Sequence, residues 1–359
     1  MQLKWKESTP LTVGVEWEFQ ILDRNTLQPK DVFENIYDQL EPALVPFIHK
    51  EVYQSMLEIV TPPCENEKEA INLFEEIFEN LKPLAEKENI HLIGLGTLFI
   101  KNINPTQINI SPRYKLFAEE FQEILKDFYI YGIHIHIGIP SPDWAIRTFN
   151  NLVLYAPLLL ALSANSIFYR GINTGIHSYR MVLFERLPRA ELPRQFKNYE
   201  EFQEVFQNLL KTKVIENVKD IWWHIRPRPD FGTIEIRVFD SLWDLERLKL
   251  LIKLVRAIAL YSEKYQDDIL PPEILNQNWW WAKRYSLDAD FIDKNGRKAL
   301  KQVAFDLIYK LADLGILKKL NYSVGEFTKF LRKPSPAKEL LFKSKAVGLE
   351  KVIKMGAVV

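Results

Sequence analysis

Between Thr12 and Leu22 apolar and polar residues alternate, with Val15, Trp17, Phe19 and Ile21 on one parity and Glu16, Glu18 and Gln20 on the other. A repeat of two belongs to a half-buried strand, so this pattern predicts a strand with two carboxylates on one face. A second extended segment runs from Ser55 to Val60, carries Glu58, and stops at Thr61-Pro62-Pro63, because prolines cannot continue a ladder. Asn66 followed three residues later by Glu69 reads as a capping box opening a helix through Glu88. A further strand is predicted over His91 to Ile100, and an amphipathic stretch near Lys115 to Phe128 follows.

The cleanest alternation in the chain is Tyr131-Gly132-Ile133-His134-Ile135-His136-Ile137-Gly138-Ile139, with isoleucines on one face and Gly, His, His, Gly on the other. The uncharged stretch Thr148 to Tyr169 contains Asn150, Asn151, Pro157 and Asn165, and its apolar centre is shorter than the ~20 residues that span a bilayer, so it reads as a buried helix. A polar loop with several arginines covers Arg170 to Arg194, and a helix is predicted near Tyr199 to Lys211. Thr233 to Phe239 alternates again, placing Glu235 and Arg237 opposite Ile234, Ile236 and Val238. Ser241 with Asp244 reads as the start of a long helix through about Ser262, and the rest of the chain looks helical, with loops at Pro271-Pro272 and Asp293 to Arg297. Strands and helices alternate without evenly spaced βαβ units, which predicts an α+β fold with a mainly antiparallel sheet. One domain over residues 1–359 is expected, its C-terminal portion helical from about 244 to 359.

Composition narrows the function classes. The 359 residues are 47% hydrophobic and 26% charged, an ordinary globular balance that excludes disorder for most of the chain. Lys and Arg number 47 and so do Asp and Glu, so no global field draws the protein to nucleic acid or an anionic membrane, and the chemistry must sit in a local site. Residues 318 to 359 hold ten Lys/Arg and three Asp/Glu, an excess best explained by solvated helix faces. The single cysteine, Cys64, allows neither an internal disulfide nor a thiolate metal cage and points to a reducing compartment. The N-terminal residues lack the apolar run of a signal peptide, so a cytoplasmic location is expected.

The candidate chemistry lies in paired side chains at i and i+2: Glu16/Glu18, His134/His136 and Glu235/Arg237, with Glu58 on a fourth strand. A single such pair suits any solvated sheet face, but repeated Glu-x-Glu and His-x-His is a narrower choice. Two carboxylates 4 Å apart repel by roughly 4 kcal/mol at an effective dielectric near 20, so converging acids need shared protons or a bound cation. An oxygen-rich set suits Mg²⁺ or Mn²⁺, and zinc on His134, His136 and one glutamate is the alternative, which would make the protein a hydrolase. Carboxylate-held Mg²⁺ beside arginines points to phosphate chemistry. No Walker loop is present, since Gly94-Leu95-Gly96-Thr97 lacks its lysine.

Taken in order, Gly14-Val15-Glu16-Trp17-Glu18-Phe19, Glu58-Ile59-Val60-Thr61-Pro62, Gly132-Ile133-His134-Ile135-His136-Ile137-Gly138, Ser178-Tyr179-Arg180 and Thr233 to Ser241 resemble the motifs of the type 2 glutamate–cysteine ligase family, the carboxylate-amine ligases. Asn278 with Ala282-Lys283-Arg284-Tyr285 resembles that family's C-terminal motif, and the likeness spans roughly residues 10 to 310. The resemblance implies a glutamine-synthetase-like fold, in which a curved antiparallel sheet flanked by helices forms a funnel for ATP, divalent metals and an amino acid. It also implies that ATP phosphorylates a substrate carboxylate, expected to be the γ-carboxylate of glutamate, and that an amine such as that of cysteine attacks the acyl phosphate to give an amide.

By motif position Glu16, Glu18, Glu58 and Glu235 resemble metal ligands, His134 a metal or phosphate contact, and Arg237 a guanidinium on the ATP phosphates. Arg180 is a candidate for holding a substrate carboxylate and Arg284 a similar candidate on the nucleotide, while His136 and Glu51 stay open between functional and structural roles. Trp17 stands where the family carries an acid, and strand parity sends it to the apolar face. Asn173, Leu98 and Phe99 also depart from the pattern, near where substrate selectivity would be set. Trp279-Trp280-Trp281 reads as helix packing rather than a stacking platform. A non-catalytic nucleotide or amino-acid binder remains a third reading. The acceptor amine, the number of metal ions and any self-association are left open by the sequence.

Overall fold

The computed structural model describes residues 3–103, 106–109, 112–126 and 128–359, without the side chains of 112–115 and 117. Its centre is a seven-stranded antiparallel sheet. In chain order the strands are β1 (Val13–Asp23), β2 (Ile48–Lys50), β3 (Met56–Val60), β4 (Ile90–Ile93) and β5 (Gly132–Gly138). Two short hairpin strands, β6 (Phe168–Tyr169) and β7 (Ile172–Asn173), stand apart, and β8 (Ile225–Arg228) and β9 (Thr233–Asp240) complete the sheet. The order across it is β2-β3-β1-β5-β9-β8. β4 pairs with the far half of β1, where Gln20 to Asp23 have run past the last residue paired with β5.

Strand parity does what the alternation predicts. Val13, Val15, Trp17, Phe19 and Ile21 of β1 and the isoleucines of β5 are fully buried in one core. That core is closed by the helices Glu67–Lys87, Pro142–Ser163 and Leu245–Tyr261, which pack against the sheet. The helix Pro142–Ser163 is long and apolar enough to cross a membrane by length and composition, yet 94% of its most apolar window is buried in the fold. The opposite face of the sheet carries the acids, the histidines and the arginines.

Several boundaries differ from the sequence reading for identifiable reasons. The predicted strand over His91 to Ile100 ends at Ile93, because Gly94 packs against the Leu242 carbonyl so closely that a Cβ would lie 1.7 Å from its oxygen. Asn66 does cap its helix, accepting from the Lys68 and Glu69 amides at 2.9 and 3.2 Å, but Glu69 returns to the Glu65 amide rather than to Asn66. The helix placed at Ser241 begins instead at Asp244, whose carboxylate accepts from the Glu246 and Arg247 amides, while the Ser241 hydroxyl serves the sheet. The arginine-rich loop contains the helix Tyr179–Phe184, and the loop at 293–297 is the turn of a hairpin, β10 (Asp290–Asp293) and β11 (Gly296–Ala299). The amphipathic stretch holds the helices Pro112–Phe121 and Glu123–Lys126, and Asp127 within it lies outside the described residues.

Candidate active site

The register of the sheet brings the predicted residues together. Glu18 faces Glu58 across the β1–β3 pair, Glu16 faces His134 across β1–β5, and His136 faces Glu235 across β5–β9. Arg226 of the edge strand β8 stands opposite Glu235. A side-chain period of two then puts all of these groups on the face turned away from the core. They line or lie under a cavity of about 350 Å³. Glu16, Glu18, Glu51 and Glu58 form one wall of it with His134, and Arg180, Arg226, Arg228, Arg237 and Lys219 form the other. Phe128, Ile130, Phe184, Leu187 and Trp222 add apolar surface between them.

On the acidic wall Glu16 is shared by both histidines, with His134 Nδ1 at 2.7 Å from one carboxylate oxygen and His136 Nε2 at 3.1 Å from the other. Burial alone would raise the Glu16 carboxyl, but the hydrogen bonds and charge of the two rings outweigh it and hold the group well below the usual range. Glu58 behaves in the opposite way. Burial, followed by repulsion from Glu16, Glu51 and Glu18, pushes its carboxyl well above the usual range, and Arg237 only partly opposes this. Glu18 accepts from the Gly132 amide at 2.6 Å, and the buried Nε2 of His134 lies 3.7 Å from Glu18 without a hydrogen-bond partner.

Three groups of side chains offer ligand atoms that all lie within 4.8 Å of one another: Glu16 with His136 and Glu235, Glu16 with Glu58 and His134, and Glu18 with Glu51 and Glu58. This oxygen-rich donor set fits hard divalent cations, and the repelled Glu58 carboxyl and the unpartnered His134 nitrogen are groups a cation would satisfy. Among the described residues no such group contains both His134 and His136. The zinc alternative needs both rings on one ion, and His136 is turned instead to Thr233 at 3.1 Å and to Glu16.

The arginine wall is organised around Glu235, which is completely buried. Its two oxygens accept five hydrogen bonds: three from Arg226 at 2.6 to 2.8 Å, one from Arg228 at 3.3 Å and one from Arg237 at 2.5 Å. Burial would raise its carboxyl, but Arg226 and Arg237 outweigh that and leave it far below the usual range. Glu235 thus offers an atom to one candidate cation group, but its oxygens are already taken by the three guanidiniums whose counter-charge it is. Arg180 lies fully enclosed across the backbone of β5, where a Cβ on Gly132 would fall 2.0 Å from its Nη2. Its Nη1 donates to the Arg237 carbonyl at 3.3 Å, while its Nε and that of Arg237 are buried without partners beside the cavity.

Arg284 is not brought to the cavity. Its guanidinium hydrogen-bonds the Gly175 carbonyl and covers the Tyr285 ring at 4.7 Å, so a place on the nucleotide has no support from position. Leu98 and Phe99 are core residues and Asn173 is an exposed residue of β7, so none of the three lines the cavity. Trp17 is buried as parity predicts, and its Nε1 donates at 3.0 Å to Ser241, which in turn donates to the Glu18 carbonyl. Trp279 packs inward and Trp280 is half exposed, in keeping with helix packing.

The sequence reading missed Arg226 and Arg228, whose alternation in Ile225-Arg226-Pro227-Arg228 was a visible though short signal. It also missed Asp240. A bulge opposite Ile133 and Ile135 changes the parity of β9, so Asp240 turns away from the core and accepts from Asn165, Ser166 and Ser178 near Arg180.

A model of the glutamate-cysteine ligase family 2 matches residues 12–320. The chain belongs to that family. A protein of Gloeobacter violaceus with the name "Putative glutamate--cysteine ligase 2" is 32% identical over 328 residues, 88% of each chain. One of the same name from Roseiflexus castenholzii is 33% identical over 300 residues, 82% of this chain and 79% of its own. Among solved structures, a Francisella tularensis glutamate–cysteine ligase in complex with AMP superposes with a TM-score of 0.71 at 13% identity, covering 98% of this chain and 88% of that one. A bifunctional glutathione synthetase from Pasteurella multocida gives 0.68 at 16% identity over 96% of this chain and 52% of its own. These two likenesses establish the fold: helices packed on an open, mainly antiparallel sheet that frames the cavity.

Proposed function

We propose that the protein is an ATP-dependent carboxylate-amine ligase acting on glutamate or a close analogue and on a small amine such as that of cysteine. The observation that carries this reading is the cavity itself, with four carboxylates on one wall and four arginines on the other, in a chain of this family. A carboxylate oxygen of the acid attacks the terminal phosphorus of ATP and ADP departs. The amine nitrogen then attacks the acyl carbon, phosphate leaves, and the nitrogen loses a proton to give the amide. No protein nucleophile is needed.

The two walls suit the two charges of that reaction. Glu16, Glu18, Glu58 and His134, with Glu51, would hold Mg²⁺ or Mn²⁺, which when bound neutralises phosphate charge. Arg237, positioned by Glu235, faces the transferring phosphoryl group, and its fixed guanidinium stabilises charge without reorganising. Arg180, which lines the cavity and whose buried Nε–H has no partner, is placed to hold a substrate carboxylate. A cytoplasmic setting, where ATP is supplied, agrees with the single reduced cysteine expected from the sequence.

The test is an ADP-release assay that pairs glutamate and related acids with a panel of amines. ADP and phosphate should appear in equal amounts only when acid, amine and Mg²⁺ are all present. Absence of ADP with every pair overturns the proposal.

A further inference from the structure

Behind the arginine wall lies a buried polar cluster that neither lines the cavity nor joins a cation group. Its centre is Glu185, the residue that ends the helix Tyr179–Phe184. One Glu185 oxygen accepts from His224 Nε2 at 3.0 Å and from Trp279 Nε1 at 2.5 Å, and the other accepts from the Lys283 ammonium. Three elements therefore meet on one carboxylate: the end of that helix, the residue that leads into β8, and the helix Pro272–Tyr285. Burial would raise the Glu185 carboxyl, but His224 and then Lys283 bring it down to about 2.

His224 is the connection to the site. It is fully buried, and burial holds its ring below the ordinary value, which suits a neutral ring whose buried Nδ1 has no partner. Its backbone carbonyl accepts the Arg237 amide at 2.8 Å, and its own amide donates to the Glu191 carbonyl at 3.0 Å. It directly precedes β8, a four-residue edge strand paired on one side only, whose Arg226 supplies most of the hydrogen bonds to Glu235. Phe184, adjacent to Glu185, places its ring 5.8 Å from the Arg237 guanidinium, 5.9 Å from that of Arg180 and 5.9 Å from the His224 ring. A short edge strand has little of its own to fix it, so an anchor at its start sets where its arginines point.

We propose that Glu185 is a positioning residue: by holding His224 it fixes the start of β8 and the backbone of Arg237, and so sets the guanidiniums that receive the phosphates of ATP. The nucleotide half of this statement rests on the ligase reading, and the positioning half does not. His224 and Trp279 share one Glu185 oxygen, so fixing the ring requires an acceptor at that place, while the negative charge answers the Lys283 ammonium on the other oxygen. Glu185→Gln keeps such an acceptor, and Glu185→Leu removes it.

The experiment compares native protein, Glu185→Gln and Glu185→Leu by two measurements made well below their unfolding temperatures. In dicarbonyl labelling of arginines followed by peptide mapping, Arg226 and Arg237 should react faster in Glu185→Leu than in native protein or Glu185→Gln, while exposed Arg332 keeps its rate in all three. In calorimetry with ATP and Mg²⁺, Glu185→Leu should lose about tenfold in affinity and Glu185→Gln should stay near native, since losing one charge-assisted hydrogen bond to a phosphate oxygen costs that much or more. Unchanged labelling in Glu185→Leu overturns the positioning role whatever ATP does. Faster labelling with no ATP binding by native protein would sustain the positioning role and count against the ligase reading. A merely structural role would lower the unfolding temperature of both variants equally and leave the labelling of folded protein alone.

Discussion

Replacing Glu235 with glutamine preserves shape and removes one negative charge at the meeting point of three guanidiniums. In the native protein the side chain is completely buried, and both oxygens are saturated by Arg226, Arg228 and Arg237. Arg228 keeps a second partner in Asp230, so the charges left uncompensated are chiefly those of Arg226 and Arg237. The glutamine amide would also turn two N–H donors toward groups that only donate. Breaking a buried ion pair by removing one partner costs about 3–5 kcal/mol, and we expect Glu235→Gln to lose about 4 kcal/mol at pH 7. Urea unfolding measures it as a lower midpoint at unchanged slope. The pH dependence has a fixed sign. The folded carboxyl is depressed, so its contribution is present above the unfolded value near 4.3 and is lost as pH falls toward the folded value. The gap between native and variant should therefore narrow below about pH 4.3 by up to about 1.4 kcal/mol per pH unit. Equal midpoints for the two proteins at pH 7 would refute the assignment of Glu235 as the counter-charge of the arginine wall.

Mg²⁺ binding should release protons, because the raised Glu58 carboxyl holds its proton to higher pH in the free protein; calorimetry in buffers of different ionisation enthalpy measures this, and buffer-independent heats would contradict it. By the same sign Glu58→Gln should raise the unfolding temperature of metal-free protein while abolishing the stabilisation that Mg²⁺ gives, about 2.7 kcal/mol at a hundred times its Kd. Gly132→Ala forces a Cβ against the Arg180 guanidinium, so it should destabilise by about 1–3 kcal/mol in thermal unfolding and weaken acid binding. Asn66→Ala removes a helix cap that does not line the cavity and should cost about 1 kcal/mol without changing the rate of ADP release.

The acids and histidines were legible in the chain because strand parity needs only local information. Once Glu16, Glu18, His134 and His136 alternate with large apolar residues, burial of the apolar face leaves them no other side to occupy. What local pattern cannot supply is the register between strands, and the register decided that Glu18 meets Glu58 and that Arg226 meets Glu235. The Asp240 parity was hidden by a bulge that no alternation announces. Arg284 shows the converse limit. Its motif matches, but its guanidinium is spent on the Gly175 carbonyl, a contact set by tertiary packing. Ser241 and Asp244 both looked like caps, and only the approach of Ser241 to the Glu18 carbonyl removed one of them from that role.

The zero net charge of the chain conceals a strong local separation. Each wall of the cavity is unfavourable in isolation. On one, Glu58 is repelled by Glu16, Glu51 and Glu18. On the other, Arg226 is pushed down to about 10 by burial, even with Glu235 beside it. A fold selected for stability alone would intermix these charges or replace them with apolar side chains of similar volume. A ligand that relieves both walls at once must carry cations toward the acids and anionic oxygens toward the guanidiniums. A polyphosphate with its divalent metals has that polarity, whereas a free metal relieves only the first wall and a free anion only the second. Metal and nucleotide should therefore bind with positive coupling, each raising the affinity for the other by the same factor.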